Sequence, residues 1–176
     1  MSDAAEFSHV LTVADAGHGR AVAIDADAAA LTRIARRLGL VELSRFAVTA
    51  EVRTVTGGVA AKGKVEATLM QRCAATDLPV PATLAEPFDL RFLRDVDAAV
   101  DPDEEIEISS ADCDILPLDG DRVDLGEAAV QTLALALDPF PRHPDADRLL
   151  AAKGVLSEDD AGPFAALAKL RGQPKD

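Results

Sequence analysis

Residues 46–72 hold the pattern that most limits what this chain can fold into. Phe46, Val48, Ala50 and Val52 alternate with Ala47, Thr49, Glu51 and Arg53, the period-two rhythm of a strand with one buried face. Gly57-Gly58 follows, a two-residue connection suited to the positive φ of a tight hairpin. The next strand, 59–72, sets Val65, Ala67 and Leu69 on one face and Lys62, Lys64, Glu66 and Thr68 on the other. A turn near 74–78 leads into 80–93, where Val80, Ala82, Leu84, Phe88, Leu90 and Phe92 alternate. Pro81 and Pro87 cannot donate to a ladder, which predicts an edge strand or a bulge. Together these segments predict an antiparallel meander with one wet face.

Helical periods lie on either side. Leu31, Ile34, Ala35 and Leu38 fall at i, i+3, i+4 and i+7, one apolar helix face. Asp25 or Asp27 supplies the N-cap, and Gly39 suits the C′ position. Arg33, Arg36 and Arg37 lie off the apolar face. A second helix opens at Asp124, with Glu127 three residues on in a capping-box pattern. Its apolar face is Leu125, Ala129, Val130, Leu133, Ala134 and Leu137, and Asp138-Pro139 ends it. Two short strands are expected ahead of the meander, over 7–13 and 20–24. Ile106 and Ile108 suit another, inside a long acidic loop over 94–123. Residues 140–147 are expected to be extended, and a short helix starts at Pro163.

The fold class expected is therefore α+β. It comprises a twisted antiparallel sheet, barrel-like in this reading, two packed helices and a short C-terminal helix. Residues 1–150 are expected to form one domain, and 151–176 a linker with the amphipathic helix. Hydrophobic residues make up 48% of the chain, enough for a core. All six aromatics are Phe, so that core rests on Val, Leu, Ile and Ala.

The net charge of −13 is unevenly spread: residues 26–64 carry +4 and residues 65–138 carry −14. A field of this sign repels nucleic acid at long range. The acidic stretch suits a cationic partner, although acidic surfaces also simply keep proteins in solution. No apolar run approaches the ~18 residues that cross a bilayer. The acidic start, Met1 to Glu6, without a following apolar stretch, predicts no secretory leader. Cys73 and Cys113 lack CxxC spacing, which argues against a disulfide framework or structural zinc and for a reducing, cytoplasmic setting.

Few residues suggest chemistry. His9, His18 and His143 have no ligand spacing. Asp112-Cys113-Asp114 could touch a cation but lacks a defined ligand count. Arg72 beside Cys73 could lower a thiol pKa, yet no histidine base adjoins it. Gly57-Gly58 precedes a strand and fits neither phosphate-binding glycine motif. No catalytic residue, metal site or cofactor is therefore expected. Arg33, Arg36, Arg37, Arg45, Arg53, Lys62 and Lys64 would form one basic surface if the first helix packed across the hairpin, supplying phosphate contacts. Stacking aromatics are missing, and the residues alone favour a solvated charged face. Gly162–Arg171 needs a surface to fold on, in cis or in a partner's groove.

Three segments carry a family likeness. The first is Gln71-Arg72-Cys73 with the return strand Leu84-Ala85-Glu86-Pro87-Phe88. The second is Val123-Asp124-Leu125-Gly126-Glu127, running through Leu133–Leu137 into Asp138-Pro139-Phe140-Pro141. The third is Gly162-Pro163-Phe164-Ala165-Ala166-Leu167-Ala168-Lys169-Leu170. In order and spacing, over roughly residues 41–172, the chain resembles the YceD (DUF177) family. The motif positions are Gln71, Arg72, Cys73, Asp124, Gly126, Glu127, Pro163, Phe164 and Leu167. Relatives often carry a further cysteine before the first motif and another after the helix. Met70 and His143 stand there instead, which implies the loss of any metal those cysteines hold. The resemblance implies a non-enzymatic ribosome-biogenesis factor supporting synthesis, processing or stability of large-subunit (23S) ribosomal RNA. Its partners would be that RNA or its precursor, and a basic ribosomal protein. An acidic escort for such a protein, without RNA contact, is the alternative.

Overall fold

The hairpin is present, with longer arms than the alternation alone marks. The computed structural model describes residues 7–94 and 114–155. Its elements are β1 (Val10–Thr12), α1 (Val13–Ala16), β2 (Arg20–Asp25), α2 (Ala28–Arg37), β3 (Glu42–Val55), β4 (Gly58–Arg72), β5 (Pro79–Leu93), β6 (Asp114–Pro117), β7 (Arg122–Asp124), α3 (Leu125–Ala136) and α4 (Ala146–Ala152). They group into two compact units. One takes Met1–Gln71 and Pro81–Asp138, the other Arg72–Val80 and Pro139–Asp176.

In the first unit β3 and β4 pair antiparallel from Glu42↔Met70 to Val55↔Gly58. The register shifts between Leu43 and Arg45, so Ser44 is an extra residue, and its hydroxyl donates to the Thr68 carbonyl at 3.1 Å. The turn sits one residue earlier than expected. Thr56 and Gly57 form the loop, and Gly57 alone carries positive φ, at 79°. That sign pattern is that of a type II turn. Gly58 already lies in β4 and is needed for space, because a Cβ there would come within 1.8 Å of the Phe92 carbonyl oxygen.

The five-stranded sheet runs β2-β3-β4-β5-β6, antiparallel from β2 to β4 and parallel between β5 and β6. It does not close. Among the described residues β2 pairs only with β3 and β6 only with β5, so the barrel-like expectation gives way to an open sheet. β6 joins β5 only over Leu90–Leu93. Pro79, Pro81 and Pro87 thus occupy the part of β5 that has no β6 partner, where a missing N–H costs nothing. The first expected strand, 7–13, shrinks to β1, because Thr12 and Asp15 form a capping box that starts α1. β1 pairs with β7 in a separate two-stranded sheet.

One sheet face is the core. Phe46, Val48 and Val52 of β3 and Val59, Ala61 and Val65 of β4 are buried there with Ile34 of α2 and Leu125, Val130 and Leu133 of α3. Phe46 is 1% exposed and meets Phe7 edge-on, with centroids 5.4 Å apart. Burying a side chain of this size stabilises by about 1.5–3 kcal/mol. Asp27 caps α2 by accepting from Ala30 N at 2.7 Å, and Gly39 follows its C-cap with φ 65°. Both packed helices stand where the periodicity puts them.

In the second unit Asp77 holds φ 63° within a tight loop closed by Cys73 N to Leu78 O at 2.8 Å. The extended run expected over 140–147 stops at Ala146, where α4 begins. Its sequence, Ala-Asp-Arg-Leu-Leu-Ala-Ala, is rich in strong helix formers, and Ala146 is fully buried. The 106–108 strand and the helix from Pro163 lie outside the described residues.

Gly58→Ala should destabilise the protein by about 1–3 kcal/mol, read as a lower urea midpoint at unchanged slope. Thr56→Ser, at the exposed loop position, should stay within about 0.5 kcal/mol of the parent.

Candidate functional site

The motif residues around the start of α3 brace the framework. Asp124 accepts from Glu127 N at 3.2 Å and from His9 N at 2.9 Å, both through Oδ1. Its Oδ2 takes the Ser8 hydroxyl at 2.6 Å. One carboxylate thus caps a helix and holds a segment more than a hundred residues away in sequence. Gly126 lets that segment approach, since a Cβ there would lie 2.7 Å from Phe7 O and 2.8 Å from His9 N, both backbone atoms. Glu127 does not complete the expected reciprocal cap. Its carboxylate faces Arg37, which donates from Nη1 and Nη2 at 2.7 Å each, and it also accepts from Gln131 at 3.0 Å. This planar two-bond match ties α2 to α3. It also holds the Glu127 carboxyl below the usual range, with the Arg37 hydrogen bonds as the main cause. At the first motif, Gln71 Nε2 donates to Asp138 O at 2.9 Å.

The seven basic candidates divide between the two faces of the sheet. α2 buries Ile34 with the inner-face residues of β3 and β4, so Arg33, Arg36 and Arg37 belong to the helix-covered side. Register and alternation put Arg45, Arg53, Lys62 and Lys64 on the outer side. There Lys62 pairs with Asp89 at 3.0 Å, Lys64 with Glu66 at 2.6 Å, and Arg45 with Glu66 at 3.3 Å. The Lys64 hydrogen bond is the first cause of a lowered Glu66 pKa. The side chains of Arg36 and Arg53 have no hydrogen bond or ion pair among the described residues. The outer face also carries a shallow groove of about 440 Å³ lined by Ala21, Ala23, Thr49, Glu51 and Lys62.

In the second unit Cys73 is 2% exposed, and its Sγ accepts from His143 N at 3.3 Å. That hydrogen bond is the main reason its pKa falls to about 7, and burial opposes it. The expected cause, Arg72, is not among them. His143 Nδ1 accepts from Asp145 N at 3.1 Å. Among the described residues no group of three or more His, Cys, Asp or Glu is placed to hold a metal. Cys113 and Asp112, with Pro163, Phe164 and Leu167, lie outside the described residues. The partners Ser8, His9, Asp138 and His143 could not be found from sequence, because each contact spans tens of residues or more.

These features define an α+β protein in which Asp124, Gly126 and Glu127 tie the start of α3 to residues 7–9 and to α2. The chain belongs to the family of the large ribosomal RNA subunit accumulation protein YceD, whose model matches residues 61–171. That stretch takes in all three motif segments, and the family description places the chain in ribosome biogenesis. No curated protein and no solved structure matches the chain. No helix of the described residues is long and apolar enough to cross a membrane.

Two outcomes test this geometry. A carboxylate with a lowered folded pKa contributes stability that is present above its unfolded pKa and lost as pH falls through the folded value. Glu127→Gln should therefore cost about 1 kcal/mol near neutral pH, as befits a partly exposed pair. The gap to the parent should close as the pH drops below the ordinary glutamate range, followed by urea unfolding at each pH. Iodoacetamide labelling of Cys73, followed by peptide mass spectrometry, should rise with pH around 7 and run far slower than in urea, because the thiol is buried.

Proposed function

We propose that this chain is a non-enzymatic ribosome-biogenesis factor, acting in the cytoplasm, that supports accumulation of 23S ribosomal RNA through a confined RNA contact and a basic ribosomal protein. The family match over residues 61–171 carries this reading. Charge segregation supports the division of labour. A chain of net charge −13 is a poor general RNA binder, so phosphate contact has to be local. On α2, Arg33 and Arg36 are exposed, while Arg37 is already committed to Glu127. On the outer face Arg53 is exposed, whereas Arg45, Lys62 and Lys64 share acidic neighbours. Exposure alone makes Arg33 and Arg36 the first group to test, with Arg53 second.

The alternative is an escort for a basic ribosomal protein without RNA contact, favoured by the acidic balance of residues 65–138. Depleting the protein should lower the ratio of large- to small-subunit RNA, and restoring the parent chain should recover it. In filter binding to large-subunit RNA fragments, Arg33→Glu with Arg36→Glu should weaken association and flatten its dependence on log salt by about one to two units. Unaltered RNA binding with the RNA ratio still restored would select the escort reading.

A further inference from the structure

The seam between α3 and β5–β6, all within the first unit, is open where a covered helix would be closed. Leu135, inside α3, is 86% exposed. Exposed leucines are common singly, but this one stands at the mouth of a cavity of about 250 Å³ floored by Phe88 and bordered by Pro87, Thr132 and Ala136. A second cavity of about 240 Å³ lies one helical turn back, between Ala128 and Gln131 of α3 and Phe92 and Leu116 of β5 and β6. Ala128, Gln131, Thr132 and Leu135 form one i, i+3/i+4, i+7 stripe, and Phe88 and Phe92 lie four residues apart on one strand face. The two cavities are thus successive stations along one groove, with Phe88 and Leu135 as the apolar part of the first and Phe92 and Leu116 of the second.

Its rim is acidic. Glu86, Asp89 and Asp114 line the first cavity, and no Lys or Arg does. Asp89 is shared with Lys62, whereas the side chains of Glu86 and Asp114 have no hydrogen bond or ion pair among the described residues. Asp119 and Arg122 border the second cavity. An apolar floor with unneutralised carboxylates at its edge repels nucleic acid and suits an apolar anchor flanked by cations.

We infer that this groove is the docking site for a partner protein's cationic segment, with an apolar side chain seated beside Leu135 and Phe88 and Lys or Arg facing Glu86 and Asp114. This rests on the reading that the chain works partly through a basic protein, and it names the surface and the chemistry that reading leaves open.

The test uses the full chain and a synthetic fluorescein-labelled peptide rich in Lys and Arg, with two Leu anchors at i and i+4. Anisotropy should show saturable binding that is lost when the peptide's leucines become alanine. Leu135→Ala, at an exposed position, should leave the urea midpoint unchanged and weaken binding about tenfold. Glu86→Gln with Asp114→Asn should weaken it severalfold and reduce its salt dependence. Lys64→Glu on the outer face should change it less than about twofold. Binding indifferent to Leu135 and to both carboxylates overturns the inference. So does a single-stranded RNA that competes at a Leu135-dependent site, or Leu135-dependent self-association in sedimentation without peptide. Should the groove bind as expected while depletion leaves the RNA ratio unchanged, the ribosomal reading fails and the groove stands.

Discussion

The Asp124 carboxylate is the contact on which the first unit depends. It accepts from the Glu127 amide in the first turn of α3, and it accepts from Ser8 and His9. Two segments that are distant in sequence therefore meet at one residue. A capping interaction alone is worth about 1 kcal/mol. Here the same group also fixes the approach of residues 7–9 to α3, which Gly126 allows by having no side chain. The Phe7 ring then reaches Phe46 at the centre of the core, and Leu125, fully buried, follows directly from the cap. Removing the carboxylate would leave donors on two segments without their acceptor, a larger loss than a single cap.

This gives the family motif a physical content. Asp124, Gly126 and Glu127 all make close contacts within the chain itself. They set the N-terminal segment, the helix and α2 in one arrangement, with Arg37 as the third party. Cys73 holds a similar place in the second unit, where its sulfur receives the His143 amide and supports the turn at 73–78. Surfaces then become the natural place to look for function. They are unequal: mixed and largely self-neutralised charges outside the sheet, arginines on α2, and an acidic-rimmed apolar groove along the other helix.

What was legible in the sequence was local. The hairpin, the α2 face with Asp27, and the start of α3 all follow from patterns contained within a dozen or so residues. Even there, a one-residue displacement separates Gly57, which needs positive φ, from Gly58, which needs space. What was not legible depends on pairing at a distance. Val10 could not announce Asp124 as its ladder partner, nor Leu90 its parallel neighbour Asp114, and whether a sheet closes depends on such partners. Leu135 shows the same limit at the surface. The helical period sets it off the apolar face of α3, but the cavity beside it is formed with Phe88 and Asp114, which no local pattern brings there.

The measurement that tests the account most directly is purification of a tagged copy from its own host, with and without ribonuclease, followed by sequencing of the RNA and mass spectrometry of the proteins. The account predicts enrichment of large-subunit ribosomal RNA before digestion and retention of at least one basic ribosomal protein after it. Recovery of neither above an untagged control would contradict it.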